Sequence, residues 1–83
     1  LKYEKAEKMN WNYRIIRHSA RVGHYYALHE VFYDKNDKPN SMTAEPIEFV
    51  GDTPREIIDS LQQALQDVLK TRVLDEDRLS EQD

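Results

Sequence analysis

The chain has 83 residues, no cysteine and a net charge of -4, so it holds one domain with a thin core and no disulfide staple. No apolar run approaches the roughly 20 residues that span a bilayer, and residues 1–8 are too charged for a secretory signal, so a cytoplasmic protein without membrane contact is expected. Without cysteine a metal site loses its commonest zinc ligand, which leaves oligomerisation as the expected support for so small a core.

Charge is uneven along the chain. Residues 1–38 carry eight Lys/Arg against five Asp/Glu, and residues 39–83 carry four against eleven. Residues 1–10 are polar, with Tyr3, Ala6 and Met9 three apart. That pattern is too short to hold a helix alone and predicts a loosely attached arm.

Trp11 to His18 alternates as a strand, with Trp11, Tyr13 and Ile15 on one face and Arg14 and Ile16 on the other. A short connection at Ser19–Gly23 leads to a second strand, His24–Asp34. Here Tyr25, Ala27, His29, Val31 and Tyr33 oppose Tyr26, Leu28, Glu30 and Phe32. Both faces are rich in apolar side chains, as in a central strand covered on two sides. The polar turn Lys35–Asn40 precedes a third strand over about Ser41–Val50, which Pro46 marks as an edge strand or a bulged one.

Thr53, Pro54 and Glu56 form the sharpest local signal: an N-cap, a first-turn proline and the acid of a capping box. The helix they start runs to about Lys70, with Ile57, Ile58, Leu61, Ala64, Leu65, Val68 and Leu69 in one apolar stripe. Residues 11–74 therefore read as the ordered domain, and residues 75–83 as a disordered acidic tail. The expected fold is α+β: a three-stranded antiparallel meander, ordered first, central, third, with one long C-terminal helix packed on one face.

One helix covers one face of such a sheet, which leaves the aromatic second face for a companion. A two-fold homodimer supplies it, and Trp11, Tyr13, Tyr26, Leu28 and Phe32 are the candidate interface residues. The N-terminal arm is the competing cover.

Motifs for catalysis are missing. There is no cysteine nucleophile and no Gly-x-Ser-x-Gly elbow, and two glycines cannot build a phosphate loop. His18 and His24 flank the first connection but lack a third ligand, so they read as exposed turn histidines. His29 and Glu30 point to opposite faces and cannot act as an acid/base pair; His29 reads as a sheet histidine with a backbone or water partner. Asp34–Lys38 has the wrong residues for a calcium loop. The expectation is a protein that is not an enzyme and takes no cofactor or metal. Trp11, Tyr13, Arg14, Arg17, Arg21, Tyr25 and Tyr26 mix aromatics with positive charge, as single-stranded nucleic-acid binders do. The acidic net charge makes that partner the alternative to a protein one.

The run Trp11-Asn12-Tyr13-Arg14-Ile15-Ile16-Arg17-His18, then Tyr25-Tyr26-Ala27-Leu28-His29-Glu30-Val31-Phe32-Tyr33-Asp34, resembles a group of short bacterial proteins of unknown function. Those also place Glu-Pro ahead of a Gly-Asp/Glu-Thr helix start, as Glu45-Pro46 and Gly51-Asp52-Thr53 do here. More distantly, Tyr25-Tyr26-Ala27 and the helix capped from Gly51-Asp52-Thr53 are similar to the sheet-plus-helix domain of HicB-type antitoxins. That resemblance implies the fold and a role in oligomerisation or partner binding. The Leu-Pro-Gly segment of those antitoxins is absent, and the chain has no room for a DNA-binding unit.

Overall fold

The fold is that of a computed structural model, which describes residues 10–82. The N-terminal arm expected over residues 1–10 falls, but for Asn10, outside the described residues. The elements run β1 (Trp11–Ala20), β2 (Gly23–Tyr33), β3 (Pro39–Met42), α1 (Pro54–Lys70), β4 (Leu74–Asp75) and α2 (Glu76–Gln82). The sheet order is β3-β2-β1-β4. β1, β2 and β3 are antiparallel neighbours, whereas β4 lies parallel to β1.

The protein is α+β, and the expected meander makes up three quarters of its sheet. Two features differ from the sequence reading. The sheet is mixed and four-stranded, and a second helix follows it where an acidic tail is expected. Leu74 and Leu79 are the reason: both are buried in one cluster with Ile16 and Val31, so the tail has an apolar purchase on the sheet. Asp75 caps α2, its carboxylate accepting from the Asp77 N–H at 3.0 Å.

The hairpin turns through Arg21–Val22, pairing Ala20 with Gly23, whose φ of 137° needs a glycine. That register sets Asn12, Arg14, Ile16 and His18 on one face with Tyr25, Ala27, His29, Val31 and Tyr33. The second face carries Trp11, Tyr13, Ile15 and Arg17 with Tyr26, Leu28, Glu30 and Phe32. The core lies on the first face, where α2, Met42 and Leu74 close over Ile16 and Val31, both 0% exposed.

β3 is only four residues long, shorter than the strand expected to Val50. Beyond Met42 the chain keeps contact with β2 through single bonds, Thr43 N–H to Glu30 O and Ile47 N–H to Leu28 O. Pro46, which has no N–H to donate, lies between them.

α1 starts as the capping residues require. The Thr53 side chain accepts from the Glu56 N–H at 3.2 Å, and the Glu56 carboxylate accepts from the Asp52 N–H at 2.8 Å. A Cβ on Gly51 would come within 2.9 Å of the Glu56 Cβ, so glycine makes room for this reciprocal cap. Replacing Thr53 by alanine is expected to cost about 1 kcal/mol, read as a lower urea midpoint with an unchanged slope.

Candidate functional site

Two places in the molecule carry chemistry that packing alone does not explain: a buried pair of histidines and an uncovered line of apolar side chains on α1.

The histidines come from neighbouring strands. His18 is buried on β1 and His29, 1% exposed, on β2. Their Nε2 atoms are 2.9 Å apart. On the far side of each ring a second partner is set: Glu76 Oε1 lies 2.8 Å from His18 Nδ1, and the Thr43 carbonyl lies 3.0 Å from His29 Nδ1. The other Glu76 oxygen accepts from the Ser19 N–H at 2.9 Å, and the Tyr25 ring stacks on His18 at 4.8 Å.

The protons on this chain of groups are assigned by their partners. The Glu76 carboxylate only accepts, so the His18 Nδ1 donates, while the His29 Nδ1 meets both the Thr43 carbonyl and, at 3.2 Å, the Thr43 hydroxyl, which can accept or donate. Each Nε2 then aims at the other, and a 2.9 Å gap holds one proton between them. The Glu76 carboxylate anchors the His18 end of this chain of groups. The bonds from the Ser19 N–H and from His18 hold that carboxyl below its ordinary value. Burial pushes His29 the opposite way from a free cation, lowering its affinity for a proton of its own, and the neighbouring His18 acts in the same direction.

His29 thus takes the backbone partner the sequence suggests, but His18 is not an exposed turn residue. The hairpin register places His24 opposite Ser19 on the other face, apart from His18. The signal that would have found the histidine pair is the two-residue turn itself, because its register, unlike one pairing His18 with His24, puts His18 and His29 on one face. Among the described residues no three His, Asp or Glu side chains are placed to hold a metal ion.

The five residues proposed for an interface share the second sheet face, as their alternation requires. Tyr13 is buried there. Its ring meets Trp11 edge-on at 5.2 Å and tilts against Phe49 at 6.0 Å. Its hydroxyl reaches Ser60 on α1. Leu28 and Phe32 are half-buried, while Trp11 and Tyr26 are exposed.

α1 packs on β1 through the wrong side of its stripe. Ile57, Ser60, Ala64, Asp67, Val68 and Thr71 are the residues turned inward, and only Ala64 is fully buried. The seat is polar as well as apolar: Asp67 accepts from the Tyr13 N–H at 3.0 Å, and the Arg14 guanidinium donates to the Arg72 carbonyl at 2.8 Å. At 100° per residue the larger side chains lie about a quarter-turn round the helix. There Ile58, Leu61, Leu65 and Leu69 keep 44, 49, 57 and 75% of their surface in water. Small residues bring the helix close, and the leucines face outward.

Two arginines of the first hairpin, Arg14 and Arg17, are committed inside the fold. Arg14 also bonds the Tyr33 hydroxyl at 3.1 Å, and Arg17 pairs with Asp75 at 2.8 Å. Of the three hairpin arginines in the nucleic-acid alternative, only Arg21 has no hydrogen bond or ion pair among the described residues. No helix among the described residues is long and apolar enough to cross a membrane.

No protein-family model, no curated protein and no solved structure matches this chain.

Proposed function

We propose that the protein is a non-catalytic protein-interaction or regulatory module that acts as a homodimer. The observation carrying this reading is the line Ile58, Leu61, Leu65 and Leu69, four apolar side chains at helical spacing that remain exposed. A helix selected only to cover its own sheet would turn those residues inward and leave Ser60 and Asp67 in water. The buried titratable groups support the non-catalytic part. His18, His29 and Glu76 bond to one another and to the backbone, joining α2 to the sheet.

The sequence reading looked for surplus apolar surface on the sheet, and the supporting surface lies on the helix instead. Half-burying an exposed leucine or isoleucine contributes about 1 kcal/mol. Eight such side chains from two copies roughly match the lower part of the association cost of about 4–15 kcal/mol. The dimer is therefore weak and concentration-dependent.

Light scattering across roughly 1 to 500 micromolar protein tests it. The expected result is a rise from the 9.9 kDa chain mass toward twice that value. A constant monomer mass at the top of the range would sink the reading.

A further inference from the structure

The proposal of a homodimer leaves its geometry open, and four side chains define it. Leu61 and Leu65 are centred on Gln63, and Ile58 and Leu69 half a residue further along, so one point of the helix serves both pairs to within about 1 Å. A two-fold axis through that point and perpendicular to the helix sets Ile58 against Leu69 of the second copy, and Leu61 against Leu65. The line is thus complementary to its own inverse, which is what an isologous contact requires.

Charge selects the same direction. The start of α1 carries Glu56 and Asp59 beside Arg55, and its last turn carries Lys70, with Arg72 two residues past the helix. Asp59 and Lys70 lie on the flank of the line that faces away from β1, given 100° per residue. Running the two helices antiparallel places Asp59 of each copy near Lys70 of the other, and opposes the helix dipoles favourably. A parallel pair would stack acid on acid and base on base. The Arg55–Asp59 contact within one helix, at 3.7 Å and largely exposed, is loose enough to share its acid.

We infer that two copies of this chain associate through antiparallel packing of α1 on α1, along Ile58, Leu61, Leu65 and Leu69. This rests on the homodimer reading and assigns its interface. The occupant is a second copy because both the spacing and the charge order match the helix to its own reverse.

The chain lacks cysteine, so single-cysteine variants report geometry without background. Ile58→Cys and Leu69→Cys proteins are oxidised separately and as an equimolar mixture. Cross-linking in the mixture, several-fold above either variant alone, is expected. Efficient cross-linking of each variant with itself would overturn the antiparallel arrangement. In parallel, Leu65→Lys, at an exposed position, is expected to raise the dimer dissociation constant at least about tenfold while keeping the helical circular-dichroism signal. A wild-type dimer that Leu65→Lys leaves unchanged would overturn this interface while the homodimer stands. A wild-type monomer would remove both.

Discussion

A chain ending at Val73 is expected to lose its cooperative unfolding transition. The last segment looks dispensable by composition, since residues 75–83 hold six charged acids or bases with a single leucine among them. Yet it takes Leu74 and Leu79 into contact with the two side chains that water does not reach at all, Ile16 and Val31. Losing two buried leucines removes about 2–5 kcal/mol each. The whole domain is worth roughly 4–12 kcal/mol at 0.05–0.15 kcal/mol per residue. The truncation also strips Asp75 from Arg17 and Glu76 from His18 and the Ser19 N–H. Urea titration followed by tyrosine and tryptophan fluorescence measures the outcome. Leu79→Ala provides the graded control, with a lower midpoint but a transition still present. A truncated chain that unfolds at the full-length midpoint would show that the segment does not hold the sheet.

Much of the architecture was legible, and the reasons for the gaps are local. The alternation of Trp11–His18 and of His24–Tyr33, and the Thr53-Pro54-Glu56 start, are dictated by neighbours in sequence, and the structure follows them closely. β4 and α2 were hidden because a two-residue strand has no period and one leucine in a seven-residue helix has no stripe. In retrospect Asp75 as a cap, with Leu74 before it and Leu79 four residues on, was the readable trace. The roll of α1 was not legible either. An apolar stripe of Ile57 to Leu69 spans well over a third of a turn. Which part of that arc meets β1 depends on Asp67 finding the Tyr13 N–H and Ser60 the Tyr13 hydroxyl, across more than forty residues of sequence.

Two carboxylates, those of Asp67 and Glu76, help explain why β1 is not an open edge. Tyr33 donates to the Asn10 carbonyl, so by antiparallel alternation the odd-numbered residues of β1 present their N–H groups away from β2. β4 covers the middle of this edge, Asp67 takes the Tyr13 N–H and Glu76 takes the Ser19 N–H. The acidic second half of the chain thus finds part of its counterpart in the backbone of the first strand. An edge closed in this way resists strand addition.

Acid should weaken the fold in two stages, and the histidine pair sets the first. His29 is lowered from its ordinary 6.5, chiefly by burial, so the unfolded chain takes up a proton there more readily than the folded one. Its contribution is complete above about pH 6.5 and is lost as pH falls through the lower folded value. Geometry gives the reason. A second proton in the 2.9 Å gap between the two Nε2 atoms would leave two donors facing each other and no acceptor in a dry site. Glu76 and Asp75, lowered from 4.5 and 3.8 by bonds from the Ser19 and Asp77 N–H groups first, act in the same direction at lower pH. Their contribution is present above those ordinary values and disappears as pH falls through the folded ones. Urea midpoints measured from pH 7.5 to 3.5 should therefore fall first below about 6.5 and again below about 4.5. His29→Phe removes the first stage. That variant starts less stable, by about 1–3 kcal/mol for the Nε2 it strands on His18, and its midpoint should fall less than the wild type's between pH 7.5 and 5, before the carboxylate stage begins. A wild-type midpoint that stays constant over that upper range, or a His29→Phe profile that slopes like the wild type, would mean that buried His29 does not set the first stage.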